Sequence, residues 1–301
     1  MKALVIGYGS IGRRHDEVLK ETNLFLQIDI VSKQTIINRM VFKYLDEVKN
    51  LDSYDYFVIA SETNKHYEQL KYLDNALLNK KILCEKPLFE SSYELEIKNN
   101  KIYVGYVLRY HPLLQQLKFF LKDEELVNVN INCGSYLPTW RTNIDYRDSY
   151  SAKKDKGGGV LLDLSHEIDY IYWLFGKIKE LKSYQLKVSD LEIDSDDLMV
   201  AIGKTSEGVI INLSIDYISK LPRRKVIVDT NDKSFELDFI KNTLHQKDKR
   251  GLEQKYEFSN LERNYLFEQM HRAILGNGQH ACTYEDGMEV MKTIVTIQEQ
   301  N

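Results

Sequence analysis

Lys86 stands in "CEKPLFE", between Glu85 and Pro87, in a chain with only four prolines. A proline pushes the residue before it out of helical backbone and into an extended form. The apolar run Lys81 to Cys84 ends just before it, so the ammonium is expected off the end of a strand. Open α/β sheets bind ligands outside the carboxyl ends of their strands. There a lysine can give a proton to a reacting oxygen, with Glu85 to hold or tune it. These residues alone leave a proton donor and a solvated surface lysine both open.

A second group lies in "GYGSIG". Gly7, Gly9 and Gly12 have the G-x-G-x-x-G spacing, straight after an apolar run and straight before a helical one. Such glycines permit a tight turn, close approach of backbone to a pyrophosphate, and close packing of helix on strand. Tyr8, Ser10 and Ile11 complete the loop, and Arg13 follows it. The helix N-terminus adds N–H groups and partial positive charge for the phosphates. The loop is therefore read as dinucleotide-binding. An acid normally follows about 20 residues on, to take the adenosine ribose diol. Here that region is "IDIVSKQ", with Asp29 in mid-strand and Ser32 and Lys33 at the strand end. A hydroxyl and a cation, with Arg13 near, suit a 2′-phosphate better than a diol. This favours NADP over NAD as cofactor; solvated loop residues are the other reading.

The third group is "GGGVLLDLSHEIDYIYWLFG", read as one helix opened by Gly157 to Gly159, which would let backbone pass close to a ligand. At helical spacing Leu164, Ile168, Ile171 and Phe175 form a core stripe. Asp163, His166 and Tyr170 share another face, within a wedge of about 60°. A carboxylate, an imidazole and a phenol together can orient a substrate hydroxyl and relay its proton. A satisfied core histidine is the plainer alternative.

The elements that must position these groups are legible as patterns. "ALVIG", "FLQIDIV", "YFVIA", "KILCE" and "IYVGY" are short runs rich in β-formers with helix-like stretches between several of them, such as Asn64 to Asn79. That alternation predicts a parallel, doubly wound sheet. From about Val127 the chain changes to consecutive strands with short turns, read as an antiparallel meander, and closes in helices at Leu261–Leu275 and Glu285–Gln300. The expected fold is α/β: an N-terminal Rossmann doubly wound parallel sheet, residues 1–111, and a C-terminal α+β domain with an open, mostly antiparallel sheet, residues 112–301. A net charge of -4 offers no footprint for nucleic acid or anionic membrane. No apolar stretch approaches a membrane span, and the start reads as a buried strand rather than a signal peptide. Cys84, Cys133 and Cys282 suit a reducing cytoplasm, and no His, Cys and carboxylate cluster has metal-ligand spacing, so no metal is expected.

In order along the chain, "VIGYGSIGRRH", "ASETNKHYE", "CEKP", "GYVLRYHP" and "GGGVLLDLSHEID" resemble the Gfo/Idh/MocA family of NAD(P)-dependent sugar oxidoreductases. The resemblance implies that Lys86 sits by the nicotinamide and hydrogen-bonds the oxygen that gains or loses a proton, across a Lys86–Pro87 bond of a kind that tolerates the cis form. It implies that Thr63, Asn64 and His66 border the cofactor, with Ser61 beside them and Glu85 next to Lys86. Asp163 and His166 fall at the family's substrate and proton-transfer positions, although members usually space these two by four residues rather than three. Arg109, from "GYVLRYHP", joins the substrate set. "YLPTWRTNIDYRDSYSAKK" adds Trp140, Arg141, Tyr146, Arg147 and Tyr150, aromatic faces for a sugar ring and guanidinium groups for carboxylate or phosphate. It resembles a segment of members tied to bacterial surface-sugar and nonulosonic acid pathways, which implies an anionic or nucleotide-activated sugar; an ordinary aromatic loop or oligomer contact is the alternative. A homo-oligomer, dimer or tetramer, is expected from the same resemblance. The rival functions are a non-catalytic NAD(P)-dependent sensor on this scaffold and a glycosidase that uses NAD transiently.

Overall fold

The computed structural model describes residues 1–141, 144–259 and 261–301. The first third forms β1 (Lys2–Ile6), α1 (Ser10–Glu21), β2 (Gln27–Val31), β3 (Val41–Phe42), β4 (Tyr56–Ile59), α2 (His66–Ala76), β5 (Lys81–Cys84) and β6 (Lys101–Val104). The middle forms α3 (Pro112–Phe120), β7 (Leu126–Gly134), α4 (Val160–Asp163), α5 (His166–Phe175), β8 (Ile178–Leu186), β9 (Leu198–Thr205), β10 (Ile210–Asp216), β11 (Arg223–Thr230), β12 (Lys233–Asp238), β13 (Thr243–Asp248) and β14 (Glu253–Glu257). The chain closes with α6 (Tyr265–Leu275), β15 (Cys282–Thr283) and α7 (Tyr284–Glu299).

These elements divide into two compact units, residues 1–110 with 262–288, and residues 111–261 with 289–301. In the first, the sheet order is β15-β6-β5-β4-β1-β2-β3. Every pairing in it is parallel except that of β15 on β6. β1, β4 and β5 are nearly all buried, as strands covered on both faces must be. Phe267, Met270 and Ile274 of α6 join the core made by Val5, Ile30 and Val58. The C-terminal segment thus returns to a unit that the sequence reading closed near residue 111. Strand periodicity does not reveal a return of this kind, because β15 is only two residues long.

In the second unit the order is β14-β13-β12-β11-β7-β10-β9-β8. The expected meander is interrupted: β7 lies between β10 and β11, parallel to the first and antiparallel to the second. β7 alternates as one buried face requires, with Val129, Ile131 and Cys133 inward. Among the described residues no helix is long and apolar enough to cross a membrane.

His111 precedes α3, with its ring edge-on to Phe239 and Nε2 3.2 Å from the Asn242 amide oxygen. Burial, opposed by that hydrogen bond and aided by Arg224, lowers its pKa to about 4. The ring is therefore neutral when folded but protonated when unfolded at mildly acidic pH. Stability should be intact above about pH 6.5 and fall by about 3 kcal/mol as pH drops towards 4. Urea midpoints compared across that window should show a shallower acid loss for His111→Leu than for the wild type.

Candidate functional site

The carboxyl ends of β1, β4 and β5 form one edge, stapled by bonds from the Ala60 amide to the Ile6 carbonyl (2.8 Å) and from the Glu85 amide to the Ile59 carbonyl (2.8 Å). The loop after β1 is held against this edge. Gly7 has φ of 95°, and a Cβ there would lie 2.6 Å from the Ala60 oxygen and Ser61 nitrogen. A Cβ on Gly12 would lie 2.2 Å from the Gly7 oxygen, so α1 packs directly on the turn. Gly9 differs: a Cβ there would meet nothing within 4 Å. The turn opens into space at Gly9, where no side chain caps α1 and its first turn holds no acid. These residues fit a dinucleotide's pyrophosphate, with Ser10 at the helix start supplying backbone N–H. Ile11 packs on the core. The Tyr8 hydroxyl is committed to Asp16 at 2.9 Å, itself paired with Arg39, and burial with that bond pushes the phenol to about 12.

At the end of β2, Asp29 is mid-strand and buried, accepting from the Tyr54 hydroxyl and the Gln27 amide. Ser32 and Arg13 meet at Gln34. The Arg13 guanidinium donates to the Gln34 side-chain oxygen (3.0 Å), the Gln34 side-chain amide donates to the Tyr8 carbonyl (3.2 Å), and the Gln34 backbone N–H donates to Ser32 Oγ (3.1 Å). Lys33 lies over the Tyr44 ring. Gln34, unassigned by the sequence reading, is the residue that collects this cluster.

Glu85 and Lys86 follow β5 on the same edge. At about 4.8 Å per strand step, Lys86 sits two strands, about 10 Å, from the glycine loop. The Lys86–Pro87 peptide is cis. Glu85 is buried; its Oε2 accepts from the Lys86 N–H at 3.1 Å and its Oε1 faces His15 Nε2 at 2.8 Å. Thr63 and Asn64 lie in a short 3₁₀ turn after β4, and Ser61 Oγ bonds Gln69 at 2.6 Å. His66 is not a wall residue of this edge. It is 1% exposed, with Nδ1 near the Pro87 and Leu88 carbonyls and Nε2 near that of Ser61, and burial lowers its pKa. It fastens the segment after Lys86 to the end of β4. Arg109, expected in the substrate set, is 1% exposed and paired with Asp286 at 2.8 Å.

In the second unit the expected single helix is broken. Leu164, at φ −100° and ψ 28°, separates α4 from α5. Asp163 therefore ends one helix and His166 begins the next, instead of sharing a continuous face. Asp163 is buried and accepts from the Tyr217 hydroxyl at 2.6 Å; Tyr150 also bonds it, and burial and that carboxylate raise the Tyr150 phenol. Trp140 stands edge-on to Tyr217 at 5.1 Å, and Arg141 lies over the Tyr150 ring. Trp140, Arg141, Tyr146, Tyr150, Asp163 and Tyr217 thus form one neighbourhood, with a small cleft against Trp140, Arg141 and Tyr146. Tyr217 carried no motif and was missed. Arg147 is spent on Asp145 and Glu192 at the surface. Tyr170, expected beside His166, is 0% exposed and stacks on Phe239 near the buried Glu167–Arg224 pair, so it is a core residue. The glycines before α4 are crowded by protein: a Cβ on Gly158 would lie 2.1 Å from the Tyr150 oxygen, and one on Gly159 equally close to Asp196. Thr142 and Asn143 of the aromatic stretch lie outside the described residues. Tyr217→Phe would leave the buried Asp163 carboxylate one donor short; a loss of about 1–3 kcal/mol should appear in urea unfolding.

Residues 1–99 match the family model described as the Gfo/Idh/MocA oxidoreductase family's NAD-binding Rossmann fold, and residues 124–301 match its C-terminal alpha/beta domain. An uncharacterized oxidoreductase of Synechocystis sp. is 29% identical over 154 residues, 48% of this chain. The match spans only 41% of that relative's own length. Among solved structures, UDP-N-acetylglucosamine 3-dehydrogenase GnnA from Acidithiobacillus ferrooxidans is similar at TM-score 0.78 and 18% identity, over 100% of this chain and 97% of that one. The WlbA dehydrogenase from Bordetella pertussis, in complex with NADH and UDP-GlcNAcA, is similar at TM-score 0.79 and 13% identity, over 100% and 95%. Levoglucosan dehydrogenase in complex with NADH gives 0.82 and 14%, over 100% and 96%. At these identities the likeness is one of fold.

Proposed function

Because the chain belongs to the Gfo/Idh/MocA oxidoreductase family, we propose that it transfers a hydride between C4 of a nicotinamide and a carbinol or keto carbon of a sugar. The observation that carries this is the placement of Lys86 on the same sheet edge as the open turn at Gly9. The cofactor, when bound, supplies the hydride chemistry. The Gly7–Gly12 loop and the start of α1 hold its pyrophosphate, while Ser61, Thr63 and Asn64 lie along the edge between that loop and Lys86. In the reducing direction Lys86 gives its proton to the carbonyl oxygen as the carbon accepts hydride, and its charge stabilises the oxygen in the transition state. Asp163 and His166 are assigned to substrate binding and proton transfer from the family resemblance.

The substrate class we favour is a nucleotide-activated or anionic sugar. Two proteins of the same fold carry such substrates in their names or complexes, and Trp140, Arg141 and Tyr150 offer aromatic faces and a guanidinium. For the cofactor we favour NADP(H), on the cluster of Arg13, Ser32 and Lys33. The double variant Arg13→Ala/Lys33→Ala should weaken NADPH binding by roughly 10- to 100-fold and leave NADH binding unchanged. Fluorescence titration with both cofactors checks this.

The decisive assay follows NADPH and NADH absorbance over UDP-hexoses, UDP-hexuronates, their keto forms and free sugars. Cofactor turnover with a nucleotide sugar is the expected result. Tight NADPH binding with silence across the whole panel would overturn the oxidoreductase reading and favour a sensor.

A further inference from the structure

Beneath Lys86 runs a chain of buried polar side chains drawn from four separated places in the sequence. His15 of α1, Tyr56 of β4 and His271 of α6 are each 0% exposed. The Tyr56 hydroxyl is 3.0 Å from His271 Nδ1, His271 Nε2 is 2.9 Å from His15 Nδ1, and His15 Nε2 is 2.8 Å from Glu85 Oε1. Glu85 Oε2 then accepts from the backbone N–H of Lys86. We propose that His15, His271 and Tyr56 are positioning residues for Lys86, acting through Glu85.

The direction of the chain follows from the donor inventory. An ionised carboxylate only accepts, so His15 carries its proton on Nε2. In the proposed row His15 is neutral, so its Nδ1 accepts and His271 carries its proton on Nε2 as well. His271 Nδ1 in turn accepts from Tyr56. Every donor points towards Glu85, and every buried atom in the row is satisfied, as burial demands. With both rings neutral, reversing any one link leaves two donors or two acceptors face to face. Burial holds the His271 ring neutral and raises the Tyr56 phenol, both in keeping with this order. The other titratable or charged groups around the chain are Arg14, His66, Cys84, Tyr103 and Tyr110.

Two features make this more than core filling. His15 lies on α1, whose first turn bears the phosphate loop, so the chain ties the backbone of Lys86 to the helix that seats the cofactor. The carboxylate also needs the glycine beside it: a Cβ on Gly105 would lie 2.7 Å from Glu85 Oε1. The return of residues 262–288 to the first unit brings in His271, the middle link.

The assignment rests on Lys86 as proton donor, and the test separates the two. Nitrogen-15 histidine NMR of the full-length chain, with His15 and His271 assigned by their loss in His15→Gln and His271→Asn, should show both rings neutral and protonated on Nε2. A proton on Nδ1 of either ring would overturn the proposal. On a nucleotide sugar that the wild type turns over, His15→Leu should lower kcat roughly 10- to 100-fold with the NADPH Kd nearly unchanged. His15→Gln, which keeps an N–H for Glu85, should restore most of it, and Tyr56→Phe should fall between. Equal losses in Leu and Gln variants, or a loss confined to NADPH affinity, would mean a structural role only. Lys86→Ala, run alongside, identifies which idea fails. Full turnover there overturns the assignment of Lys86, whereas loss there with full turnover in His15→Leu overturns the relay.

Discussion

Lys86→Ala should lower turnover by about 10³-fold while NADPH binds with nearly the wild-type Kd, because a positioned general acid contributes about 10²–10⁴ in rate. The backbone around Gly9 and the start of α1, proposed to hold the pyrophosphate, lie two strands away from Lys86. Lys86→Arg separates charge from proton donation. Its guanidinium keeps the positive charge but does not deprotonate, so it should recover little of the loss. Steady-state kinetics paired with fluorescence titration reads both quantities. Wild-type turnover in Lys86→Ala would remove the lysine from the chemistry.

The second large effect concerns two glycines of one motif that have opposite reasons for being glycine. Gly9→Ala places a methyl group in open space, at φ −71° and ψ −165°, a conformation open to alanine. The folded chain should therefore keep its Tm. The same methyl occupies the room a pyrophosphate needs, so NADPH affinity should fall at least about 30-fold, or about 2 kcal/mol. Gly12→Ala, by contrast, drives a Cβ to 2.2 Å from the Gly7 oxygen. Strand and helix must separate, and both Tm and cofactor affinity should drop, with stability lower by about 1–3 kcal/mol as in overpacked cores. Thermal unfolding and NADPH titration of the two variants check the contrast. Equal cofactor loss with equal destabilisation would mean that Gly9 is structural like Gly12.

What the sequence by itself determined was local. The glycine loop, the strand before it and the helix after it are contiguous, so spacing alone located the turn. Lys86 was legible for the same reason, since a short apolar strand and a proline fix where its backbone ends. Asp29 in mid-strand, with Ser32 and Lys33 past the strand end, is legible because the apolar run stops at Val31.

Only the tertiary structure decided which polar residues are buried against each other. His66, Arg109 and Tyr170 lie in suggestive motifs, yet their partners are the Pro87 carbonyl, Asp286 and the ring of Phe239. Periodicity places a residue on a face of its own element and is silent on what packs against that face. The helix break at Leu164, the insertion of β7 between β10 and β11, and the return of α6 and β15 are all set by non-local pairing. The row from Tyr56 through His271 and His15 to Glu85 spans more than 200 residues of chain. No window of sequence contains it; strand order and helix docking alone bring those four side chains within hydrogen-bond reach.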